Sequence, residues 1–530
     1  MSDPAEIVWR PVPHDISDAN VTGFMGWLDR HRGIQIATWN DLWEWSVREL
    51  DAFWRAVWDY YGVTAARGPD EIVSTDAMPR TRWFRGAQLN YAQNVLARAP
   101  RNRPALVEVA EGSVLREWST AEVAGMVGAL SQRLLALGVK PGDRVAAYLP
   151  NMPEAVIGLL ATTAIGAVWS SCGPELGVSA VVQRFGQITP KVLLAVDGYR
   201  FGGRAHERAE VVCELRQRLP SLHAAIIVRQ LHPHTAPPDG ELAFDDVVAT
   251  PQPPVFTPLP AEHPLWILFS SGSTGPPKGI VHGHGGIVVE HLKSLGLCLN
   301  VGPSDTMFFV SSTSWMAWNY SVGALLHGAS VVLSSASPTQ PHPDGAFQVA
   351  AQTKATIVGI GSAYVTALAK QHAEPHAHLD LSRLRLLVPT GSPLAPIGWS
   401  WITQRFHTRI DSICGGTEVC TVFFCGNPLT PVRSGQISGR SLAVNAQSWD
   451  AEGHPQNGKV GEMMVTTPMP SMPLYLWNDP SGARYRDTYF DQHPSVWRQG
   501  DWVIITEDGG VMVTGRSDAT LTAAACGWAQ

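Results

Sequence analysis

The sequence is poor in cysteine and in charged residues, and it has no excess of basic residues. Its 530 residues include 7 cysteines, and Cys414, Cys420 and Cys425 lack the spacing of a zinc site. Sparse cysteines favour a reducing, cytoplasmic location. Lysine and arginine number 39 against 46 acidic residues, a net charge of −7. This balance argues against a nucleic-acid partner bound through bulk charge.

Signals for secretion and membrane insertion are also weak. The chain does not open with a basic segment followed by an apolar run, so the sequence predicts no signal peptide. The uncharged stretch from Ala155 to Gly173 nearly reaches the length of a membrane span, but it contains threonine, serine and glycine. We interpret it as a buried helix that leads into a strand, and we expect no membrane partner.

The composition is that of a folded protein, with 45% hydrophobic residues. The chain is too long to form one compact core. Residues 1–90 are rich in tryptophan and predict an N-terminal cap whose indoles serve as packing anchors. A helix is expected from Leu42 to Tyr61, with Asp41 at its N-cap. Residues 91–517 form the predicted core, and residues 518–530 the start of a hinge and an aberrant tail.

Helical patterns alternate with short apolar runs in the predicted core, which is typical of an α/β fold with a mostly parallel sheet. Beyond residue 430, short strands and turns predict a small β-rich subdomain. The expected elements are helices at 120–137, 153–165 and 178–187, and strands at 144–149, 167–170, 192–196 and 224–228.

The strongest local signal is a loop of serine, threonine and glycine between an apolar strand and a lysine. The strand at 265–269 leads into residues 271–275, Ser-Gly-Ser-Thr-Gly, and Lys278 follows two prolines. Glycines let the backbone approach a ligand closely, and hydroxyl and N–H groups can then surround phosphate oxygens. The Gly-Lys-Ser/Thr ending of a Walker loop is absent. The pattern predicts a phosphate-binding loop, and the alternative is a flexible linker.

This loop and further motifs in the same order resemble the adenylate-forming superfamily of acyl-CoA synthetases, luciferases and adenylation domains. The resemblance implies a large domain of two αβ subdomains and a distorted β-barrel subdomain. Segments 280–286, 314–319, 469–473, 477–480 and 485–487 resemble a branch that activates acetoacetate. The further motifs are Gly391-Ser392-Pro393, Gly416-Thr417-Glu418, Gly500-Asp501 and Gly515-Arg516-Ser517-Asp518.

The resemblance implies an acid–thiol ligase that works in two half-reactions. A carboxylate first attacks the α-phosphorus of ATP to give an acyl-adenylate and pyrophosphate, and the thiol of coenzyme A then displaces AMP. Thr274, Lys278 and Glu418 are implied to be catalytic, and Glu418 is implied to support Mg²⁺. Asp501 and Arg516 are implied to hold the ribose. The implied ATP-binding residues are Ser271, Gly272, Ser273, Thr274, Gly275, Lys278, Gly391, Ser392, Pro393, Thr417, Asp501 and Arg516.

The acid substrate is expected to be longer than acetate. Acetate-activating relatives carry an aromatic residue, tryptophan and glutamine before the Thr-Glu pair, and that indole closes the pocket around a methyl group. Gly415 stands at the position of the indole, which leaves room for a longer acid such as acetoacetate. Trp315, Met316 and Ala317 are expected to line the same pocket. The alternative is that Gly415 serves only a backbone turn.

Coenzyme A needs basic groups at a surface channel, and Arg200 resembles the contact that the family makes with its nucleotide end. A plain surface loop is the alternative interpretation of this segment.

The family pattern stops after Leu521. Members continue through a Gly-Gly and an arginine into a small C-terminal domain, whereas residues 522–530 read Thr-Ala-Ala-Ala-Cys-Gly-Trp-Ala-Gln. For one choice of codons, this tail read with a single added nucleotide encodes Asn-Arg-Gly-Gly-Val-Arg-Met-Gly-Thr, which continues the family pattern. We therefore hypothesise a frameshift. Because the C-terminal domain would carry a catalytic lysine, we expect this chain to ligate poorly.

Three functions therefore compete at this stage. The first is a ligase for acetoacetate that uses ATP, Mg²⁺ and coenzyme A and has only small-molecule partners. The second is a ligase of the same fold for another short or medium carboxylic acid. The third is an ATP-binding remnant without catalytic activity.

Overall fold

The computed structural model describes residues 6–111, 115–238, 240–270 and 276–518. Three main sheets organise these residues, two of them mostly parallel and flanked by helices and the third antiparallel. The predicted loop residues Ser271, Gly272, Ser273, Thr274 and Gly275 lie outside the described residues, as do residues 519–530.

The first sheet has eight strands, and its central strands are buried along their whole length. Continuous apolar runs such as Val192–Val196 form such strands because helices cover both faces of a parallel sheet. Two antiparallel strands close one edge. In spatial order the strands are Leu242–Ala243, Ala224–Val228, Val192–Val196, Arg144–Tyr148, Val168–Cys172, Pro264–Ser270, Lys278–Gly283 and Tyr475–Leu476.

The second sheet has seven strands and is parallel except at the edge strand Arg116–Trp118. The third sheet has five antiparallel strands and forms the β-rich subdomain expected beyond residue 430. The remaining strands of the second sheet are Arg409–Ile410, Leu386–Thr390, Ile357–Gly361, Thr306–Phe309, Ser330–Ser334 and Leu106–Val109. Those of the third are Pro455–Gln456, Ala446–Trp449, Gly461–Val465, Trp497–Ile505 and Val511–Arg516.

The expected helices and strands of the first alternating block are confirmed to within two residues at each end. The uncharged stretch forms the buried helix Pro153–Ala164 and the buried strand Val168–Cys172. Within the described ranges, no helix has both the length and the apolar character that a membrane span requires.

The α-helices of the core are Tyr91–Arg98, Thr120–Ala136, Pro153–Ala164, Val178–Ile188, Ala209–Arg218, Phe244–Val248, His284–His291, Met316–Val322, Gly345–Gln352, Ser362–Lys370, Pro396–Arg405 and Ala483–Tyr489.

The N-terminal region differs from the expected single helix. Two helices, Trp39–Arg48 and Leu50–Tyr60, meet at Glu49, whose φ of −112° and ψ of 57° interrupt the helix. Thr38 is the N-cap, and its hydroxyl accepts the Asp41 N–H at 3.1 Å while the Asp41 carboxylate accepts the Thr38 N–H. The expectation that Asp41 is the N-cap is therefore wrong by three residues. Two further helices, Pro13–Ser17 and Asn20–Arg32, precede this pair.

The tryptophans of this region serve as packing anchors, as predicted. Trp39, Trp45 and Trp54 are buried, and Trp54 is fully inaccessible. The indole N–H of Trp43 donates to the Val444 carbonyl at 3.1 Å, so the region is joined to the residues near the third sheet. The division at residue 90 stays a prediction.

A buried helix and its π-helical continuation contain a charged pair. His284–His291 continues as the π-helical segment Leu292–Cys298, and every residue of both is buried. Within it, the Lys293 ammonium lies 2.9 Å from the Glu290 carboxylate, and both side chains are fully inaccessible. Lys293 also donates to the Ser441 hydroxyl at 2.9 Å. The pair therefore buries two opposite charges in the core, and each charge is stabilised by the other.

Replacing one member of this pair is expected to destabilise the protein strongly. Lys293→Met leaves Glu290 buried without its cation and is expected to lower the free energy of unfolding by about 3–5 kcal/mol. The double variant Glu290→Leu, Lys293→Met should recover most of that loss. Urea unfolding followed by tryptophan fluorescence measures both.

The matched control is the exposed pair of Arg218 and Glu214, whose nitrogen and oxygen are 3.2 Å apart. Arg218→Met is expected to change the free energy of unfolding by about 0.5 kcal/mol or less because solvent screens the pair. Equal losses for Lys293→Met and Arg218→Met would contradict a structural role for the buried pair.

Candidate functional site

Lys278 marks the edge of the candidate site. It is the first residue of the strand Lys278–Gly283 and pairs with Ser270 at the end of the neighbouring antiparallel strand. The predicted phosphate loop therefore connects the ends of these two strands. Burial lowers the pKa of the Lys278 ammonium, and the Glu418 carboxylate partly offsets that effect. The lysine is thus a partly desolvated cation next to an acidic group.

Thr417 and Glu418 lie in the turn at 417–420 that joins the strands Cys414–Gly416 and Thr421–Phe424. Cys420 adopts a φ of +47°, a conformation that costs energy in a residue with a Cβ. The turn is bound at two of its carbonyl groups by histidines of the neighbouring elements. It thus presents Glu418 from a fixed backbone.

The first of these histidines is His282, whose Nε2 lies 2.9 Å from the Glu418 carbonyl oxygen. Its Nδ1 accepts the indole N–H of Trp266 at 3.1 Å, so the ring carries its proton on Nε2 and donates to the turn. The second is His291, whose Nε2 lies 2.9 Å from the Cys420 carbonyl oxygen. Burial lowers the pKa of both histidines to about 4, so both rings are neutral near pH 7.

Asp501 and Arg516 are directly opposite each other on two strands of the third sheet. The Arg516 Nη1 lies 3.8 Å from the Asp501 Oδ1, and the Arg516 Nε donates to Asp518 at 2.9 Å. Burial raises the pKa of Asp501 to about 6, against the opposing effect of Arg516. The negative charge of Glu418 also raises the pKa of Asp501. The carboxylate on the third sheet and the one on the turn are therefore close enough to interact.

One aromatic side chain, Tyr489, contacts Lys278, Glu418 and the third sheet, and the sequence motifs did not indicate it. The Tyr489 hydroxyl donates to the Glu418 Oε1 at 3.2 Å, and the Lys278 Nζ lies 5.1 Å from the centroid of the same ring. The Tyr489 ring is stacked on Trp497, with centroids 4.0 Å apart. Tyr489 gave no signal because no local pattern separates it from other core aromatics.

The predicted adenine segment follows the carboxyl end of a parallel strand. Gly391, Ser392 and Pro393 are exposed just after Leu386–Thr390. Gly391 has a φ of +84°, which favours glycine. The Ile413 N–H donates to the Pro389 carbonyl at 3.2 Å, so this segment approaches the strand that leads to the Thr417 turn.

The residues predicted to line the acyl pocket approach the same turn. Met316 begins the helix Met316–Val322, and its carbonyl oxygen lies 4.0 Å from the Cys420 sulfur. Trp315 precedes that helix and is 64% exposed, and Ala317 is half-buried. A Cβ at Gly415 would lie 2.0 Å from the Thr421 carbonyl oxygen, so the hairpin itself requires glycine there. The pocket role of Gly415 stays a prediction.

Arg200 is exposed on the hairpin formed by Gly198–Phe201 and Arg204–Glu207. The loop of this hairpin is fixed by the Glu111 carboxylate, which accepts the Gly202 N–H at 2.8 Å and also the Gly203 N–H. Arg200 is therefore available to solvent, and its role toward coenzyme A stays a prediction.

Taken together, the described site combines a partly desolvated cation, carboxylates on two separate elements and an arginine. A lysine and an arginine suit phosphate oxygens, a carboxylate suits a divalent cation, and a second carboxylate can accept hydrogen bonds from a diol. The His282 ring is engaged with the backbone of the Glu418 turn.

The chain is similar to known proteins along most of its length. Residues 92–476 match the family described as AMP-binding enzyme, and residues 39–95 match the one described as acetyl-coenzyme A synthetase N-terminus. An acetoacetyl-coenzyme A synthetase of Rhizobium meliloti (strain 1021) is 38% identical over 522 residues, which are 97% of this chain and 80% of that protein. A malonamoyl-CoA synthetase of Penicillium aethiopicum is 33% identical over 97% of this chain and 75% of that protein.

A solved structure of acetoacetyl-CoA synthetase from Streptomyces lividans superimposes with a TM-score of 0.94 at 44% sequence identity. The match covers 98% of this chain and 81% of that one. The α/β fold expected from the motifs is thereby confirmed.

The raised pKa of Asp501 predicts a pH-dependent stability. Because the folded pKa of about 6 exceeds the ordinary value of 3.8, the folded chain loses stability relative to the unfolded chain as the pH rises from 4 to 6. Asp501→Asn removes this effect and is expected to raise the free energy of unfolding at pH 8 by up to about 3 kcal/mol. Urea unfolding at pH 4 and pH 8 measures the difference, which should be small at pH 4. An identical effect at both pH values would contradict the assignment.

Proposed function

The chain belongs to the AMP-binding enzyme family, in the group of the acetoacetyl-CoA synthetases, and from that premise we propose that it joins acetoacetate to coenzyme A. ATP supplies the activation and leaves as AMP and pyrophosphate. The observation that carries the proposal is the convergence of Lys278, Glu418 and the pair Asp501 and Arg516 from three separate segments. Membership of the family supports an AMP-forming acid–thiol ligase, and the acid is the finer part of the proposal.

In the first half-reaction, a carboxylate oxygen of the acid forms a bond to the α-phosphorus of ATP. The bond from that phosphorus to the bridging oxygen breaks, and pyrophosphate leaves. No side-chain nucleophile is required, so the work of the protein is to position the reactants and neutralise charge. Lys278 and the loop at 271–275 would hold the phosphates, and Thr417 would contact the α-phosphate. Asp501 and Arg516 would hold the ribose, next to the adenine segment 391–393.

In the second half-reaction, the sulfur of coenzyme A attacks the acyl carbon of the adenylate. The bond between that carbon and the phosphate oxygen breaks, AMP leaves, and the thiol proton is released. Arg200 is proposed to bind the nucleotide end of coenzyme A.

The donor set around Glu418 fits Mg²⁺. Glu418 Oε1 accepts the Tyr489 hydroxyl, whereas its Oε2 has no hydrogen bond from the residues that the structure describes. A single protein carboxylate together with substrate phosphates is a common arrangement for Mg²⁺. No group of three or more His, Cys, Asp or Glu side chains that could hold a metal ion occurs in the described part of the chain. Bound Mg²⁺ would neutralise phosphate charge, and Glu418 would hold it beside Lys278.

The choice of acetoacetate is supported by the similarity to acetoacetyl-CoA synthetases. The similarity to a malonamoyl-CoA synthetase favours one alternative, a different short acid with a carbonyl group at its β position. The poor ligation expected from the C-terminal sequence and the cytoplasmic location stay predictions.

The test is acid-dependent exchange of labelled pyrophosphate into ATP, which reports the first half-reaction alone. With the purified chain, acetoacetate is expected to give a kcat/KM at least about tenfold above acetate, the scale on which a pocket separates short acids. Thioester formation from coenzyme A is measured separately. Exchange with no acid of a short-chain panel would contradict the proposed function, and a preference for malonamate would favour the alternative.

Lys278→Met is expected to lower the acetoacetate-dependent exchange rate by about a hundredfold, because one charged donor to the phosphates is lost. The control is Lys370→Met, which removes an exposed lysine at the end of the helix Ser362–Lys370 and should leave the rate unchanged. Similar rates for both variants would show that Lys278 does not act on the phosphates.

A further inference from the structure

Tyr489 is the one described side chain for which contacts with Lys278, Glu418 and Trp497 are all observed. Lys278 belongs to the first sheet, Glu418 to the hairpin turn and Trp497 to the third sheet. Tyr489 itself is the last residue of the helix Ala483–Tyr489 and is 3% exposed. It therefore sits where the parts of the candidate site meet.

The ring of Tyr489 is held in one orientation by its neighbours. It stacks on Trp497 at 4.0 Å with an interplanar angle of 11°, and Tyr485 meets it edge-on at 5.7 Å. The Trp497 indole N–H donates to Gln499 at 2.9 Å, which fixes the stacking partner in turn. A ring fixed in this way directs its hydroxyl and its π face to constant positions.

Both functional neighbours of Tyr489 gain a defined position from these contacts. The hydroxyl donates to Glu418 Oε1 at 3.2 Å, whereas Oε2 accepts no hydrogen bond from the part of the chain that the structure describes. The Lys278 ammonium lies over the ring, where the quadrupole attracts a cation without neutralising its charge. Tyr489 thus keeps the lysine and the carboxylate next to each other without requiring that they form an ion pair.

We propose that Tyr489 is a positioning residue for the adenylation half-reaction, which orients the Glu418 carboxylate and the Lys278 ammonium toward the ATP phosphates and the divalent cation. The inference rests on the proposed function. The Tyr489 phenol is protonated near pH 7 and can donate its hydroxyl hydrogen to the carboxylate. A carboxylate held by a protonated donor keeps its full negative charge, and an ammonium over a ring keeps its positive charge.

The competing explanation is that Tyr489 only packs against its neighbours. Tyr485 is the control residue that distinguishes a packing role from a positioning role. Tyr485 belongs to the same aromatic cluster, is 6% exposed and stands on the same helix. Its observed ring contacts are with Tyr489, Phe490 and Trp497. Removing either hydroxyl leaves the rings in place, so a packing role predicts equal effects at the two positions.

The experiment compares Tyr489→Phe with Tyr485→Phe in pyrophosphate exchange and in binding of Mg²⁺ and ATP by calorimetry. Tyr489→Phe is expected to lower kcat/KM for ATP about tenfold, the scale of one hydrogen bond to a charged group. It should also raise the Mg²⁺ concentration needed for half-maximal rate, with the KM for acetoacetate unchanged. Tyr485→Phe should change none of these values, and both variants should unfold thermally at the same midpoint.

A double-mutant cycle with Glu418→Gln tests whether Tyr489 acts through the carboxylate. In the Glu418→Gln background, Tyr489→Phe is expected to cause little further loss, because the two residues form one unit. Fully additive losses, or equal effects of Tyr489→Phe and Tyr485→Phe, would overturn the inference. Absence of exchange in the unaltered chain would count against the proposed function instead, and the calorimetric comparison would still decide the role of Tyr489.

Discussion

The site depends on two hydrogen bonds that hold the turn at 417–420 in place. His282 and His291 donate from Nε2 to the carbonyls of Glu418 and Cys420, each at 2.9 Å. The turn needs this support because Cys420 has a positive φ, a conformation that a residue with a Cβ adopts only when its surroundings enforce it. Burial keeps both rings neutral, so each presents one donor in a known direction. These bonds fix the backbone that carries Glu418, and the Tyr489 hydroxyl contacts its carboxylate.

The charged groups near the turn are partly buried, which disfavours their charged forms. Lys278 is partly desolvated, and burial raises the pKa of Asp501 to about 6 although Arg516 lies opposite it. Carboxylates that are buried near one another destabilise the folded chain, and such arrangements are concentrated at functional sites. A divalent cation and a triphosphate would supply opposite charges to both kinds of group. Both Lys278 and Glu418 contact Tyr489, the ammonium at the ring and the carboxylate at the hydroxyl.

Much of the first alternating block could be predicted, because its strands are short apolar runs and its helices have apolar residues at helical spacing. The helix Thr120–Ala136 also begins with a capping box formed by Ser119 and Glu122. The interruption at Glu49 was missed, since its flanking residues continue the helical pattern. In the site, Lys278, Glu418, Asp501 and Arg516 stood in recognisable motifs. Tyr489 and His291 did not, because their partners lie 71 and 129 residues away in the chain.

Local sequence patterns indicate which chemical groups are available: a glycine and hydroxyl loop before a lysine, a Thr-Glu pair, and an aspartate and an arginine later in the chain. Local patterns carry this information because capping, strand formation and backbone approach to a ligand depend on neighbouring residues. The packing of distant segments sets which side chains contact those groups, and which glycines are required by their surroundings. Gly415 is an example, since the approach of the Thr421 carbonyl excludes a Cβ there. Such contacts join distant segments, and their geometry exists only after the three sheets have packed together.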